Sequence, residues 1–345
     1  MAKRLGILTG GGDCPGLNPA VRGCVLQAAR LGWECAGFLD GWKGLVEAQS
    51  IALRPEDVED WINKGGTLLG SSRTNPFKRE GGPELCRQNL RKLGLDALVA
   101  MGGEDTLGVA ARLYREFGFP VVGVPKTMDN DLSATDFTFG FDTAATIAVD
   151  AAERLKDTGR SHHRAMVLEV MGRHAGWVAL YTGLASGADF TVIPEKPVSI
   201  KAVARAVESA HRRKKHALVV ASEAVELEGG DASQPLDEFG HNLLKQRGVG
   251  ERLARAIEKE TGIEARCAVI GHIQRGGPPT LFDRILATRV GVRAAQLADE
   301  KRFGVMVALK GNRIEEVSLE EATGKLKTVG AEWLELLRSV SIDSH

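Results

Sequence analysis

Short apolar runs of strand length, most of them separated by helical patterns, constrain this chain more than any other feature. The runs are Leu5–Leu8, Ala97–Ala100, Val121–Val124, Ala165–Val170, Ala217–Ala221, Ala268–Ile270 and Val305–Leu309. Between them, Ala20–Leu31, Glu84–Leu93, Leu107–Phe117, Thr143–Asp157 and Ile200–Arg213 carry apolar residues at three- and four-residue spacing, with charge on the opposite side. A strand joined through a helix to another strand of the same sheet pairs in parallel, so the alternation predicts an α/β fold with doubly wound, mainly parallel sheets. The 345 residues exceed the usual size of one domain, and two are expected.

Sheets of this kind place ligands beyond the carboxyl ends of their strands. Three polar loops begin at such ends: TGGGDCPG (Thr9–Gly16), MGGEDT (Met101–Thr106) and VPKTMDND (Val124–Asp131). Glycines let backbone N–H groups approach an anion, and a following helix N-terminus adds positive partial charge. A single glycine-rich loop is more often a tight turn than a phosphate site. Three of them, all carrying Asp or Lys and able to line one crevice, point to phosphate chemistry. The last loop combines Lys126 with Asp129 and Asp131, a fixed cation beside a proton acceptor and a metal-compatible acid, which is equipment for phosphoryl transfer. For that loop alone, turn-capping aspartates and a solvated lysine are an equal alternative. In MGGEDT, Glu104 and Asp105 flank N–H groups that attract an anion which the acids repel. A Mg²⁺ ion, held by one carboxylate and phosphate oxygens, reconciles the two; N-capping of the next helix by Asp105 is the open alternative.

Further segments look like a receptor for a phosphorylated substrate. VMGRHAG carries Arg173, GHIQRGG carries His272 and Arg275, and GSSR ends at Arg73, all in glycine-rich turns suited to bidentate phosphate binding. The run HRRKKH, 211–216, reads as a helix end, and Trp33, Trp61, Trp177 and Trp333 as core residues. Residues 226–250 read as a long surface insertion without chemistry. Lys plus Arg and Asp plus Glu each number 45, so neither nucleic acid nor a membrane surface is expected as a bulk-electrostatic partner. The five cysteines form no CxxC pair, and the first apolar run is too short for a signal segment or a membrane span. A reduced, cytoplasmic protein is expected.

In this order, GGGDCPGLN, GSSR, GGEDT, PKTMDND, VMGRHAGW and GHIQRGGPPTLFDR resemble the 6-phosphofructokinase family over nearly the whole chain. The resemblance implies a donor-binding domain of residues 1–140 plus 274–324 and a sugar-phosphate domain of 141–273 plus 325–345, with the active site in the cleft between them. It implies Mg²⁺, fructose 6-phosphate as acceptor, and a homo-oligomer, dimer or tetramer, whose active site is shared between subunits. By position, Asp129 is the base for the sugar 1-hydroxyl, which Thr127 and Asp131 orient. Arg173, with Met171 and Gly172, holds the sugar phosphate, joined by Glu223, His272 and Arg275. Arg164 and Arg266 reach in from the neighbouring subunit, Gly11 and Arg73 lie along the donor, and Glu104 serves the metal.

Members that use ATP have GGDG and PGTIDND, whereas Asp105 and Lys126 stand here in place of two of those glycines, as in the pyrophosphate-dependent branch. A carboxylate fills and repels the space a nucleotide's α-phosphate takes, and a lysine supplies a cation to pyrophosphate, which has no nucleoside anchor. Trp42 stands where an aromatic near the nucleotide is often Tyr. Leu26 replaces an effector-site arginine while Arg22, Arg54 and Lys214 remain, so weak or absent allosteric control is expected. The expected reaction is the reversible, Mg²⁺-dependent transfer from pyrophosphate to fructose 6-phosphate, giving fructose 1,6-bisphosphate in glycolysis and gluconeogenesis. ATP as donor, or another acceptor such as sedoheptulose 7-phosphate, is the alternative.

Overall fold

Nearly every apolar run becomes a strand buried on both faces, in a computed structural model that describes residues 2–227 and 248–342. In chain order, the first part comprises β1 (Arg4–Thr9), α1 (Leu17–Arg30), β2 (Glu34–Phe38), α2 (Trp42–Glu47), β3 (Ser50–Leu53), α3 (Gly82–Lys92), β4 (Ala97–Gly102), α4 (Glu104–Phe117) and β5 (Val121–Pro125). Next come α5 (Phe141–His162), β6 (Ala165–Val170), α6 (Trp177–Ser186), β7 (Phe190–Val192), α7 (Ile200–Lys214), β8 (Ala217–Ser222), α8 (Val249–Thr261) and β9 (Ala265–Val269). The chain then returns through α9 (Leu281–Asp299), β10 (Val305–Lys310), β11 (Arg313–Ser318), α10 (Leu319–Thr323) and α11 (Ala331–Val340).

Two sheets result, a seven-stranded one of order β11-β10-β5-β4-β1-β2-β3 and a four-stranded one of order β7-β8-β6-β9. Pairing is parallel except for β2 with β3 and β10 with β11 at the two edges of the larger sheet. Alternation along each strand divides the core. Leu8, Leu98 and Ala100 face one apolar layer with α4, whereas Ile7, Val99 and Met101 face another that continues through Phe141 of α5 to Leu168 and Val220 of the smaller sheet. Val167 and Val219 turn to a third layer under α7 and α8. The middle layer is thus common to both sheets, and burial of its aliphatic side chains holds them together at roughly 25 cal/mol per Å² of apolar surface.

Two expectations are corrected, and two edge strands were not anticipated. The run Ala268–Ile270 is displaced, since the strand is Ala265–Val269; β9 is an edge strand with part-exposed residues, so its sequence ARCAV carries Arg266 and lacks a continuous apolar signal. Edge strands β3 and β11 escaped the apolar-run criterion for the same reason. Of the expected insertion at 226–250, residues 228–247 lie outside the described residues, and Val249 and Gly250 already belong to α8. The basic run does end a helix, with His211, Arg212, Arg213 and Lys214 in the last turn of α7. Trp33 and Trp177 are buried, and Trp61 and Trp333 pack partly buried on the core. Among the described residues no helix is long and apolar enough to cross a membrane, and the five cysteines are free thiols.

Candidate active site

Strand order makes neighbours of loops that are far apart in sequence. Thr9 pairs with Met101 and Gly102 with Pro125, so β1, β4 and β5 end level and their loops emerge side by side. In the smaller sheet Val170 pairs with Ser222 and Glu169 with Val269, which aligns the ends of β6, β8 and β9. A cleft of about 1020 Å³ lies between these loops. Gly11 and Asp129 line it from the first group, Arg73 from the segment between β3 and α3, and Met171, Arg173, Glu223, His272 and Arg275 from the second. Lys126, Thr127, Asp131 and Gly172 belong to the same loops, Glu104 and Asp105 open α4, and none of the six is among its lining residues.

The β1 loop is shaped by close approaches. Gly10 N–H donates to Met101 O at 2.9 Å, and Gly11, at φ 79°, donates to Ser72 O at 3.1 Å. Arg275 donates from Nη1 to Asp13 O at 3.0 Å, bridging the cleft. A Cβ at position 12 would lie 2.2 Å from that nitrogen, so a side chain there would make the guanidinium shift. Buried Asn18 ties the opposite rim, donating to Lys64 O and Gly65 O at 3.1 Å each and accepting from Leu68 N at 2.9 Å.

Lys126 is only 4% exposed, and its Nζ donates to Gly12 O at 2.5 Å from beneath the loop. Burial pushes its pKa down, and Arg275 adds to this while Cys14 and Asp129 oppose it. The N-cap of α4 is Gly103, which corrects the capping alternative for Asp105; Glu104 and Asp105 form the helix's first turn, where the dipole favours acids. Trp42 is buried below, its indole N–H donating to Thr106 O at 3.3 Å, so it supports the loop from the core.

In the next loop Asp129 N–H donates to Thr127 Oγ1 at 3.0 Å, and Asn130 takes a left-handed φ of 52°. Asp129 Oδ1 is buried without a hydrogen-bond partner, an expensive state unless something else supplies the donor. Burial raises Asp131 to about 7, Asp129 and Glu104 push the same way, and a Thr127 hydrogen bond opposes them. Carboxylate oxygens are hard donors, so the acids of these loops are of the ligand type that Mg²⁺ takes. Among the described residues no three His, Cys, Asp or Glu side chains form a metal cage, and Mg²⁺ needs none when phosphates and water complete its shell.

Across the cleft, Met171 N–H donates to Gln274 Oε1 at 2.8 Å, and Gly172, at φ 149°, donates to Glu223 Oε1 at 3.4 Å. Gln274, fully buried, also reaches Ala144 O at 3.2 Å and so locks the turn carrying His272 and Arg275. Sequence reading missed Gln274, although it lies within GHIQRGG, and missed Glu169 and Glu251, which also line the cleft. Nothing local marks Glu169, which sits inside the apolar strand β6 and accepts from Gly250 N at 2.6 Å.

Burial and the Asp129 charge raise Glu223 from 4.5 to about 7. A raised carboxyl contributes stability that is complete below pH 4.5 and is lost as pH rises through about 7. Glu223→Gln, which keeps the acceptor for Gly172, is therefore expected to exceed the wild type in stability by up to about 3 kcal/mol at pH 8 and to match it near pH 4. Urea midpoints at the two pH values measure this, and an equal difference at both removes the titration account.

Arg164 and Arg266 are not in this cleft. They flank the opposite, amino-terminal edge of the smaller sheet, where both pair with Glu264, Arg164 at 2.7 Å. Arg22 and Leu26 line a separate cavity of about 510 Å³ between α1 and α9, and Lys214 pairs with the buried Asp189 carboxylate at 2.8 Å.

Residues 4–298 match the family model described as phosphofructokinase. The chain is 52% identical over 333 residues, 95% of its length and 97% of the other's, to a pyrophosphate-fructose 6-phosphate 1-phosphotransferase of Amycolatopsis methanolica. It is 45% identical over 341 residues, 96% of each protein, to an ATP-dependent 6-phosphofructokinase of Corynebacterium efficiens. In fold it matches the crystal structure of a pyrophosphate-dependent phosphofructokinase from Nitrosospira multiformis with a TM-score of 0.84, over 96% of this chain and 87% of that one at 21% identity. With the motif order, the facing strand ends and these similarities agreeing, the chain belongs to the phosphofructokinase family of phosphotransferases.

Proposed function

We propose that this enzyme transfers a phosphoryl group from pyrophosphate to the 1-hydroxyl of fructose 6-phosphate. The observation that carries the reading is the buried, partnerless Oδ1 of Asp129, facing Arg173, His272 and Arg275 across one cleft. A sugar hydroxyl supplies the missing donor to Asp129, while the cationic side receives the 6-phosphate. Asp129 takes the hydroxyl proton as the oxygen attacks the terminal phosphorus in line. The new P–O bond forms, the bridging P–O bond breaks with its electron pair leaving on orthophosphate, and the proton passes from Asp129 to phosphate or water.

Thr127 and Asp131 orient the hydroxyl; Met171 and Gly172 present backbone beside Arg173, with Glu223 on the sugar. Gly11 and Arg73 follow the donor. Lys126 acts from beneath the β1 loop, holding Gly12 and adding positive potential under the donor phosphates. Mg²⁺, held through Glu104 and phosphate oxygens, would neutralise charge on the transferring group. The reaction is reversible and serves glycolysis and gluconeogenesis in the cytoplasm. Residues 1–140 plus 274–324 form the donor domain and 141–273 plus 325–345 the sugar domain. Arg164 and Arg266, on the far edge, complete the sugar-phosphate site of a neighbouring copy in a homo-oligomer.

The similarity to an ATP-dependent relative makes ATP the rival donor, against which Asp105 and Lys126 speak. Supplying fructose 6-phosphate and Mg²⁺ with either pyrophosphate or ATP and following fructose 1,6-bisphosphate decides between them. Turnover with pyrophosphate alone is expected. Turnover with ATP alone would refute the donor assignment, and silence with both would move the acceptor to another sugar phosphate such as sedoheptulose 7-phosphate.

A further inference from the structure

The loop bearing Asp129 is held by a residue from the far end of the chain. Between α10 and α11, Leu326 pairs antiparallel with Leu132, and Lys327 N–H donates to Asp131 O at 2.8 Å. The Lys327 ammonium then donates to Asn130 Oδ1 at 2.9 Å, Thr135 O at 3.0 Å and Asp136 O at 2.9 Å. An ammonium has three N–H donors, so all are engaged on this one loop. Asn130 sits between the two aspartates in a left-handed conformation uncommon for a residue with a Cβ, and its side-chain oxygen also accepts from Thr138 N at 3.2 Å.

The same segment is tied to the sugar side of the cleft. Trp177 Nε1 donates to Lys327 O at 2.8 Å. Val329 N–H donates to Glu195 Oε1 at 3.0 Å, and that oxygen also accepts at 2.9 Å from Gly176 N–H, at the end of the loop carrying Arg173.

We propose that Lys327 is a positioning residue of the transfer reaction: its ammonium fixes Asn130 and thereby the Asp129 carboxylate, while residues 326–329 tie that loop to the Arg173 loop. The inference rests on the functional reading above. Lys327 touches neither reacting group, and it acts by holding the two sides of the cleft in register. Burial lowers its pKa to about 8, Lys310 adds to the depression, and Asp136 and Asp131 oppose it, so the three-donor form prevails at neutral pH.

Lys327→Met and Lys327→Arg test this in the full-length enzyme, with steady-state kinetics on whichever donor the wild type uses and hydrogen exchange of backbone amides. Lys327→Met is expected to lower kcat about 10- to 100-fold, the scale of a loop misplaced by an ångström, with KM for both substrates within about threefold. Amides of residues 129–138 should exchange about tenfold faster while those of β6 and β8 are unchanged. Lys327→Arg should recover most of the loss. If Lys327→Met does not fold, Lys327→Gln, with two N–H donors on a shorter arm, carries the same comparison. Unchanged kcat with unchanged loop exchange overturns the proposal. So does faster exchange spread evenly over both sheets with kcat per folded molecule intact, which marks a merely structural role. A wild type inactive with both donors refutes the functional reading alone, and the exchange data still decide whether Lys327 holds the loop.

Discussion

Replacing Asp129 by asparagine is expected to lower kcat about 10²- to 10⁴-fold, the range associated with loss of a positioned general base. Asparagine keeps the shape of the side chain but cannot take a proton. In the proposed binding mode the sugar phosphate is held from the other side of the cleft, which Arg173, His272 and Arg275 line, so KM for fructose 6-phosphate should stay within about threefold. The substitution also removes one of the charges that raise Glu223, whose carboxyl should then titrate lower than about 7. Steady-state kinetics across pH measures both effects. Loss of sugar affinity with kcat retained would mean that Asp129 binds the substrate and does not act as its base.

The second large effect is expected from the double substitution Asp105→Gly with Lys126→Gly. Pyrophosphate should lose about 10²- to 10³-fold in kcat/KM, comparable to removing one preorganised charge-stabilising group, while ATP turnover becomes measurable. The structure adds a reason beyond charge. Lys126 Nζ grips Gly12 O, so its loss also frees the β1 loop, along which the donor is proposed to lie. Kinetics with each donor at fixed fructose 6-phosphate provides the measurement, with sugar binding by calorimetry confirming an intact cleft. If pyrophosphate use does not fall and ATP use does not rise, the donor assignment is wrong.

Particular residues show where sequence reading stops. Val121–Val124 and Ala165–Val170 were legible because strands buried on both faces carry uninterrupted apolar runs. Edge strands β9 and β11 were not, because a half-exposed strand tolerates Arg266, Glu315 and Glu316. Lys126 was recognisable as a departure from the ATP-using pattern, but its position beneath Gly12 was not. A four-carbon stem can reach outward to a ligand or inward to a carbonyl, and only the neighbouring loop selects between them. Glu169 reads as an error within a strand until Gly250 supplies its N–H partner.

The sequence by itself determined the fold class, the family and the chemical character of each loop, since helical and strand periodicity and the glycine-rich turns are written in consecutive residues. Tertiary structure decided what those loops form together. The strand order β5-β4-β1 sets three of them side by side, and the order β8-β6-β9 aligns the loops bearing Arg173, Glu223 and His272 opposite. It also brought Lys327 to Asn130 across 197 positions and left Asp129 Oδ1 buried without a partner. Such contacts depend on the path of the whole chain, because burial of the shared middle layer, and no local propensity, decides which distant segments meet.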